Sequence, residues 1–171
     1  MSKSFDDLLS KVSECSVKKV AVAVAQDKAV LEAVQAAKER NIAEAVLVGD
    51  EDKIREVAKE AGIDVNHFEI IDEKDDFAAA LKAVELVHNG KADMYMKGLI
   101  DTKSFLKSVL DKEVGLRTGK VLSHVCVFEI KGIDHLLFLS DVAFMTYPTL
   151  EDKQHIIENT VEICHACGIP N

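Results

Sequence analysis

Tryptophan is absent from the 171-residue chain, and two tyrosines and seven phenylalanines make up the rest of its aromatic surface. That leaves no obvious platform on which nucleic-acid bases could stack. Arginine is almost as scarce. Arg40, Arg55 and Arg117 are the only three among 21 basic residues, set against 30 acids for a formal net charge of −9. With no clustered basic stripe, neither nucleic acid nor an anionic membrane is an expected partner. Long apolar runs are missing too. The longest, Val20 to Ala25, falls far short of the roughly 20 residues a membrane-spanning helix needs. The opening residues Met1-Ser2-Lys3-Ser4-Phe5-Asp6-Asp7 lack the basic and apolar blocks of a secretory signal. Four cysteines, at 15, 126, 164 and 167, are too sparse for a disulfide framework and fit a reducing compartment. A cytoplasmic protein is the expectation.

What the chain does have is ordinary globular composition, with 48% hydrophobic and 30% charged residues. A chain of this length buries roughly 70% of the surface its unfolded form exposes, so it needs no staples. The pattern alternates. Val17 to Ala25 is a short Val/Ala run suited to a strand buried on both faces. Asp27 is placed to cap a helix running to about Asn41. Ala43 to Val48 predicts the next strand, and an amphipathic helix then runs to Gly62, a good left-handed terminator. Phe68 to Ile71 and Ala92 to Lys97 predict two more strands, with helices over Asp75–Asn89 and Thr102–Leu110. Strand-helix repeated four times argues for a mainly parallel sheet with helices on both faces, a three-layer α/β fold.

The rhythm then breaks. Lys120 to Ile130 and His135 to Ser140 are two strand-like runs joined by Lys131-Gly132-Ile133-Asp134, a hairpin-length connection. The expectation is an antiparallel insertion in the parallel sheet. A last helix is predicted from Leu150 to Ala166, capped by Thr149. No strand follows it, which points to an incomplete architecture.

Two motifs fail on inspection. Gly115-Leu116-Arg117-Thr118-Gly119-Lys120 approaches a phosphate-binding loop, but it is one residue short, has Val121 where Ser or Thr would hold magnesium, and precedes a strand. Cys164-His165-Ala166-Cys167 is a single CxxC near a helix end, without the second ligand pair of a zinc site, and reads as packing. No metal is expected.

Three features point toward chemistry. Met96-Lys97-Gly98-Leu99-Ile100-Asp101-Thr102 puts a lysine at the end of a strand and Thr102 at the start of a helix. That is how an α/β protein builds an anion site, although an ordinary turn with a solvated lysine looks the same. Lys112 to Lys120 is a basic loop carrying Arg117, suited to bidentate phosphate contact or to plain solvation. Ser123-His124 and Asp141 fall within and at the end of the antiparallel pair, where catalytic groups could meet.

Together MKGLIDT, FLKSVLDKEVGLRTGKVLSHVCVF, LLFLSDVAF and YPTLEDK resemble the phosphate acetyl/butyryltransferase family, on its butyryl-transferring side. KKVAVAVAQDKAVLEAV and AEAVLVGD match the family's opening units, so the resemblance covers essentially all 171 residues. It implies reversible acyl transfer: butanoyl-CoA plus phosphate giving butanoyl phosphate plus CoA. It also implies a fold like that of isocitrate and isopropylmalate dehydrogenases, a homo-oligomer, and coenzyme A as substrate with no cofactor. By this resemblance residues 1–171 are the N-terminal part of a phosphate acyltransferase, and the rest would carry a Ser-Arg pair and an Asp around the CoA thiol. Lys97, Gly98, Thr102, Lys107 and Arg117 are then expected to bind substrate, with His124 and Asp141 catalytic. Lys107 stands where acetyl-transferring relatives have Arg, which keeps the charge without the planar fork. Two other classes remain open: a non-catalytic phosphate- or CoA-binding half, and a flavodoxin-like regulatory domain.

Overall fold

A computed structural model describes residues 2–142 and 144–170. The chain forms two compact units: Ser16–Arg117, and Met1–Cys15 together with Thr118–Asn171.

The first unit holds a four-stranded sheet of β1 (Lys18–Ala23), β2 (Ala43–Gly49), β3 (Glu69–Asp72) and β4 (Met94–Lys97). All pairings are parallel and the order is β3-β2-β1-β4. The central strands are buried on both faces, as their Val/Ala content requires. Val22, Ala45 and Leu47 pack against Leu31 and Val34 of α2 (Lys28–Glu39) and Ile54 and Ala58 of α3 (Glu51–Ala61). Ala21, Ala23, Val46 and Val48 face the other way, onto Ala79, Ala80 and Ala83 of α4 (Asp76–His88). Ile100 and Phe105 join that layer, Phe105 from α5 (Thr102–Val109). The expected three layers are present. Each fully buried Leu or Ile contributes about 1.5–3 kcal/mol by leaving water.

The caps agree with the sequence. Asp27 accepts from the Val30 amide at 3.0 Å, Asp75 from Ala78 at 2.8 Å, and Gly62 ends α3 in the left-handed region at φ 71°. Two expectations need correcting. The first strand stops at Ala23 because Val24 adopts φ 56°, outside the strand region. The strand Ala92–Lys97 shortens to Met94–Lys97 and lies at the sheet edge, with Met94 43% exposed, so it is not a buried strand.

The second unit contains α1 (Phe5–Val12), the hairpin strands β5 (Val125–Phe128) and β6 (Leu137–Ser140), and α6 (Leu150–Ala166). The hairpin forms a sheet of its own, so the expected insertion into the parallel sheet is corrected. Val125 pairs with Ser140, the last residue of β6, so residues 120–124 have no strand partner and the predicted strand shortens at its start. The helix α1 went unread although its capping box is explicit: the Ser4 hydroxyl accepts from the Asp7 amide, and the Asp7 carboxylate accepts from the Ser4 amide. Thr149 and Asp152 build the same box on α6, where the sequence placed the cap.

Candidate functional site

In a parallel sheet, ligands favour the carboxyl edge where the strand order reverses. Here that point lies between β1 and β4. Lys97 is the last residue of β4, in register with Ala23. The chain then locks onto the end of β1: the Gly98 amide donates to the Ala23 carbonyl at 2.9 Å, and the Leu99 amide to Val24 at 2.8 Å. A Cβ on residue 98 would collide with both those carbonyl oxygens. The glycine therefore serves a close crossing of two backbones. Its amide is already engaged, which corrects its expected place in a phosphate cradle.

The crossing holds a strained residue. Val24 is β-branched, buried and left-handed, a combination that costs on the order of 1–3 kcal/mol and persists only where surroundings enforce it. Two residues on, the Gln26 Oε1 is buried without a hydrogen-bond partner among the described residues. Sequence reasoning missed both, because a Val in a Val/Ala run announces only a strand.

Thr102 opens α5, but Asp101 caps it, accepting from the Ser104 amide at 3.0 Å. The Ser104 side chain and amide hold the Asp101 carboxyl below its usual range. One negative charge thus already sits where a helix favours anions. A second anion beside Thr102 needs nearby cations, and exposed Lys97 and Lys103 are the candidates. Lys107, further along α5, places its Nζ 4.4 Å from the ring centre of Phe77 on α4, a cation–π contact.

Arg117 is elsewhere. The chain after α5 folds back onto that helix's last turn: Leu116 donates to the Val109 carbonyl at 2.8 Å. The Asp111 carboxylate accepts from the amides of Val114 (3.1 Å) and Glu113 (2.8 Å), which hold its carboxyl below the ordinary range. A Cβ at Gly115 would strike the carbonyls of Asp111 and Val109. The helix between Thr102 and Val109 spans about 10 Å at roughly 1.5 Å per residue. Arg117 thus leaves the chain near the end of α5 opposite to the one that follows Lys97. Loops that follow strands lie at the carboxyl edge; this loop follows a helix and starts from the opposite end.

In the other unit, the Asp141 carboxylate is engaged by main-chain amides. Its Oδ1 accepts from the His124 amide at 2.8 Å and its Oδ2 from the Met145 amide at 2.9 Å, so it positions main chain. Asn159 on α6 adds a second restraint: its Nδ2 donates to the Ser123 hydroxyl at 2.8 Å and to the Val121 carbonyl at 3.1 Å. Sequence reasoning missed Asn159, since nothing in a polar helix face marks one Asn. The His124 ring meets Phe144 edge-on, with centroids 5.7 Å apart. The Cys126 sulfur is 3.7 Å from both ring nitrogens. Equal distances place it over the ring and out of line with either lone pair, so the contact is packing and not a nucleophile–base hydrogen bond.

Cys167 ends α6, and its thiol is pushed up by burial and by neighbouring Cys164, the opposite of an activated cysteine. Among the described residues no group of three or more His, Cys, Asp or Glu is arranged to hold a metal ion, and no helix is long and apolar enough to cross a membrane.

Comparison with known proteins gives these elements a context. The phosphotransacetylase of Streptococcus pyogenes shares the fold, with a TM-score of 0.80 at 19% identity over 97% of this chain and 60% of that one. The phosphate butyryltransferase of Clostridium beijerinckii is 59% identical over 99% of this chain and 56% of its own length. That of Clostridium acetobutylicum is 60% identical over 100% of this chain and 57% of its own. The chain thus spans a little over half the length of these curated relatives. The model described as "Phosphate acetyl/butaryl transferase" matches residues 4–80 and 77–171: the chain belongs to the phosphate acetyl/butyryltransferase family.

Proposed function

We propose that this chain is the N-terminal part of a cytoplasmic, homo-oligomeric acyltransferase that moves a butanoyl group between coenzyme A and inorganic phosphate. The observation that carries this reading is the 59–60% identity to two phosphate butyryltransferases over essentially the whole chain. Acyl transfer needs the CoA thiol deprotonated, from a free value near about 8.5, and donors where charge gathers on the departing phosphate. Lys97 and the amino end of α5 at Thr102 are assigned to inorganic phosphate, with Lys103 adding charge. Arg117, at the other end of α5, is assigned to a phosphate group of CoA, as a planar donor suits. Lys107 supplies background charge from its seat on Phe77. His124 is assigned hydrogen bonding or proton transfer; Asp141 holds its amide, and Asn159 holds Val121 and Ser123 just before it.

Thiol release from butanoyl-CoA with phosphate is the assay. Alignment of reacting groups is worth on the order of 7–11 kcal/mol, and a chain little over half the length of its relatives is not expected to supply all of it. Residues 1–171 alone should turn over well below about 1 per second. Faster turnover would overturn the division of labour and keep the reaction. Failure to bind CoA at millimolar concentration would overturn the reading of this chain as a substrate-binding part.

A further inference from the structure

The loop that leads to Arg117 is built more firmly than a surface connection requires. Asp111 ties down two amides, Leu116 bonds to Val109, and Gly115 passes too close to Asp111 and Val109 for any side chain. A further tie comes from outside the loop: the Nδ1 of His88, the last residue of α4, lies 3.1 Å from the Gly115 carbonyl oxygen. A carbonyl only accepts, so Nδ1 carries the proton, in the neutral ring as in the charged one. This platform carries Arg117, one of three arginines in the chain. Arg55 is taken by Glu51, at 2.8 Å through Nε and 2.7 Å through Nη2, and by Asn66 at 3.3 Å. Arg40 terminates α2. Arg117 is exposed and has no hydrogen-bond or ion-pair partner among the described residues.

We propose that His88 is a positioning residue: by holding the Gly115 carbonyl it fixes the 111–116 loop and so sets where Arg117 presents its guanidinium to a phosphate group of CoA. The inference rests on the proposed CoA contact of Arg117. An arginine on a fixed base loses less freedom when it binds than one on a loose loop.

The test is a double-mutant cycle on the 171-residue chain, titrating CoA by calorimetry into the parent, His88→Ala, His88→Asn, Arg117→Ala and His88→Ala/Arg117→Ala. Amide exchange of the Leu116 and Arg117 backbones is followed in the same proteins. His88→Ala should weaken CoA binding about three- to tenfold and speed exchange at Leu116 several-fold, while His88→Asn, whose amide can reach the same carbonyl, should restore both. The loss from His88→Ala should vanish in the Arg117→Ala background, since coupled residues are not additive. Additive losses, no rescue by Asn, or unchanged exchange at Leu116 would overturn the positioning role. If Arg117→Ala binds CoA as the parent does while exchange still responds to His88, the proposed contact of Arg117 fails and His88 is a structural tie alone.

Discussion

The two units differ most in how they bury apolar surface. Ser16–Arg117 holds all but two of the buried hydrophobic residues described; the other unit contributes Leu136 and Ile156. Its apolar residues lie instead in the open: Phe128, Leu137 and Leu139 share one face of the hairpin at 42–47% exposure, and Leu150 on α6 reaches 85%. The first unit has the core of a self-sufficient α/β layer structure. The second has caps, a hairpin and a helix, but little interior among the described residues.

The contrast predicts unequal sensitivity to the same substitution. Leu47→Ala, at a fully buried position of β2, should cost about 2–5 kcal/mol, read as a lower urea midpoint. Leu139→Ala should stay within about 0.5 kcal/mol. Equal losses would break the comparison. Gly98→Ala tests the crossing of β4 over β1. Neither colliding atom is on a movable side chain, so overpacking should cost about 1–3 kcal/mol or more, and a neutral result would remove the close approach as the reason for glycine.

Acid should weaken both units, through different carboxylates. Asp50, Asp101 and Asp111 in the first unit, and Asp7, Asp134 and Asp152 in the second, are held below their ordinary range in the fold. As pH falls through about 4, the usual aspartate value, the unfolded chain takes up protons first. The stability these groups lend is full above that value and lost as pH drops through the folded values. Melting curves should hold between about pH 7 and 5 and fall below about 4; a rise in stability below that point would contradict the sign. The smallest effect is expected at the CxxC. The double variant Cys164→Ala, Cys167→Ala should fold and bind no less metal than the parent, whereas stoichiometric zinc lost on substitution would restore a metal reading.

Much of the first unit was legible because its signals are local. Asp27, Asp75 and Gly62 act within one turn, and Val/Ala alternation forces burial on both sheet faces. Lys97 at the carboxyl end of its strand also came out of the repeat, while the reversal of strand order beside it did not. Other features depend on partners far away in sequence. Val24 turns left-handed where the chain after β4 crosses it, and Gly98 looks like a ligand-binding glycine until that crossing is seen. Arg117 stands on a loop that follows a helix, so the carboxyl-edge rule for strands does not by itself place it. Around His124, residue types suggested an acid–base cluster. Asp141 instead binds backbone amides, a use of carboxylates that composition does not reveal.

We propose that inorganic phosphate is held at the carboxyl edge by Lys97, and that Arg117, at the far end of α5, contacts a different anionic group. Chemical-shift titration of inorganic phosphate into the parent, Lys97→Ala and Arg117→Ala tests this most directly. Losing a charge-assisted contact costs about 1.5–3 kcal/mol, roughly ten- to over a hundredfold in affinity. Lys97→Ala should weaken phosphate by that factor and Arg117→Ala by less than about twofold; equal loss from both variants, or from neither, would contradict the account.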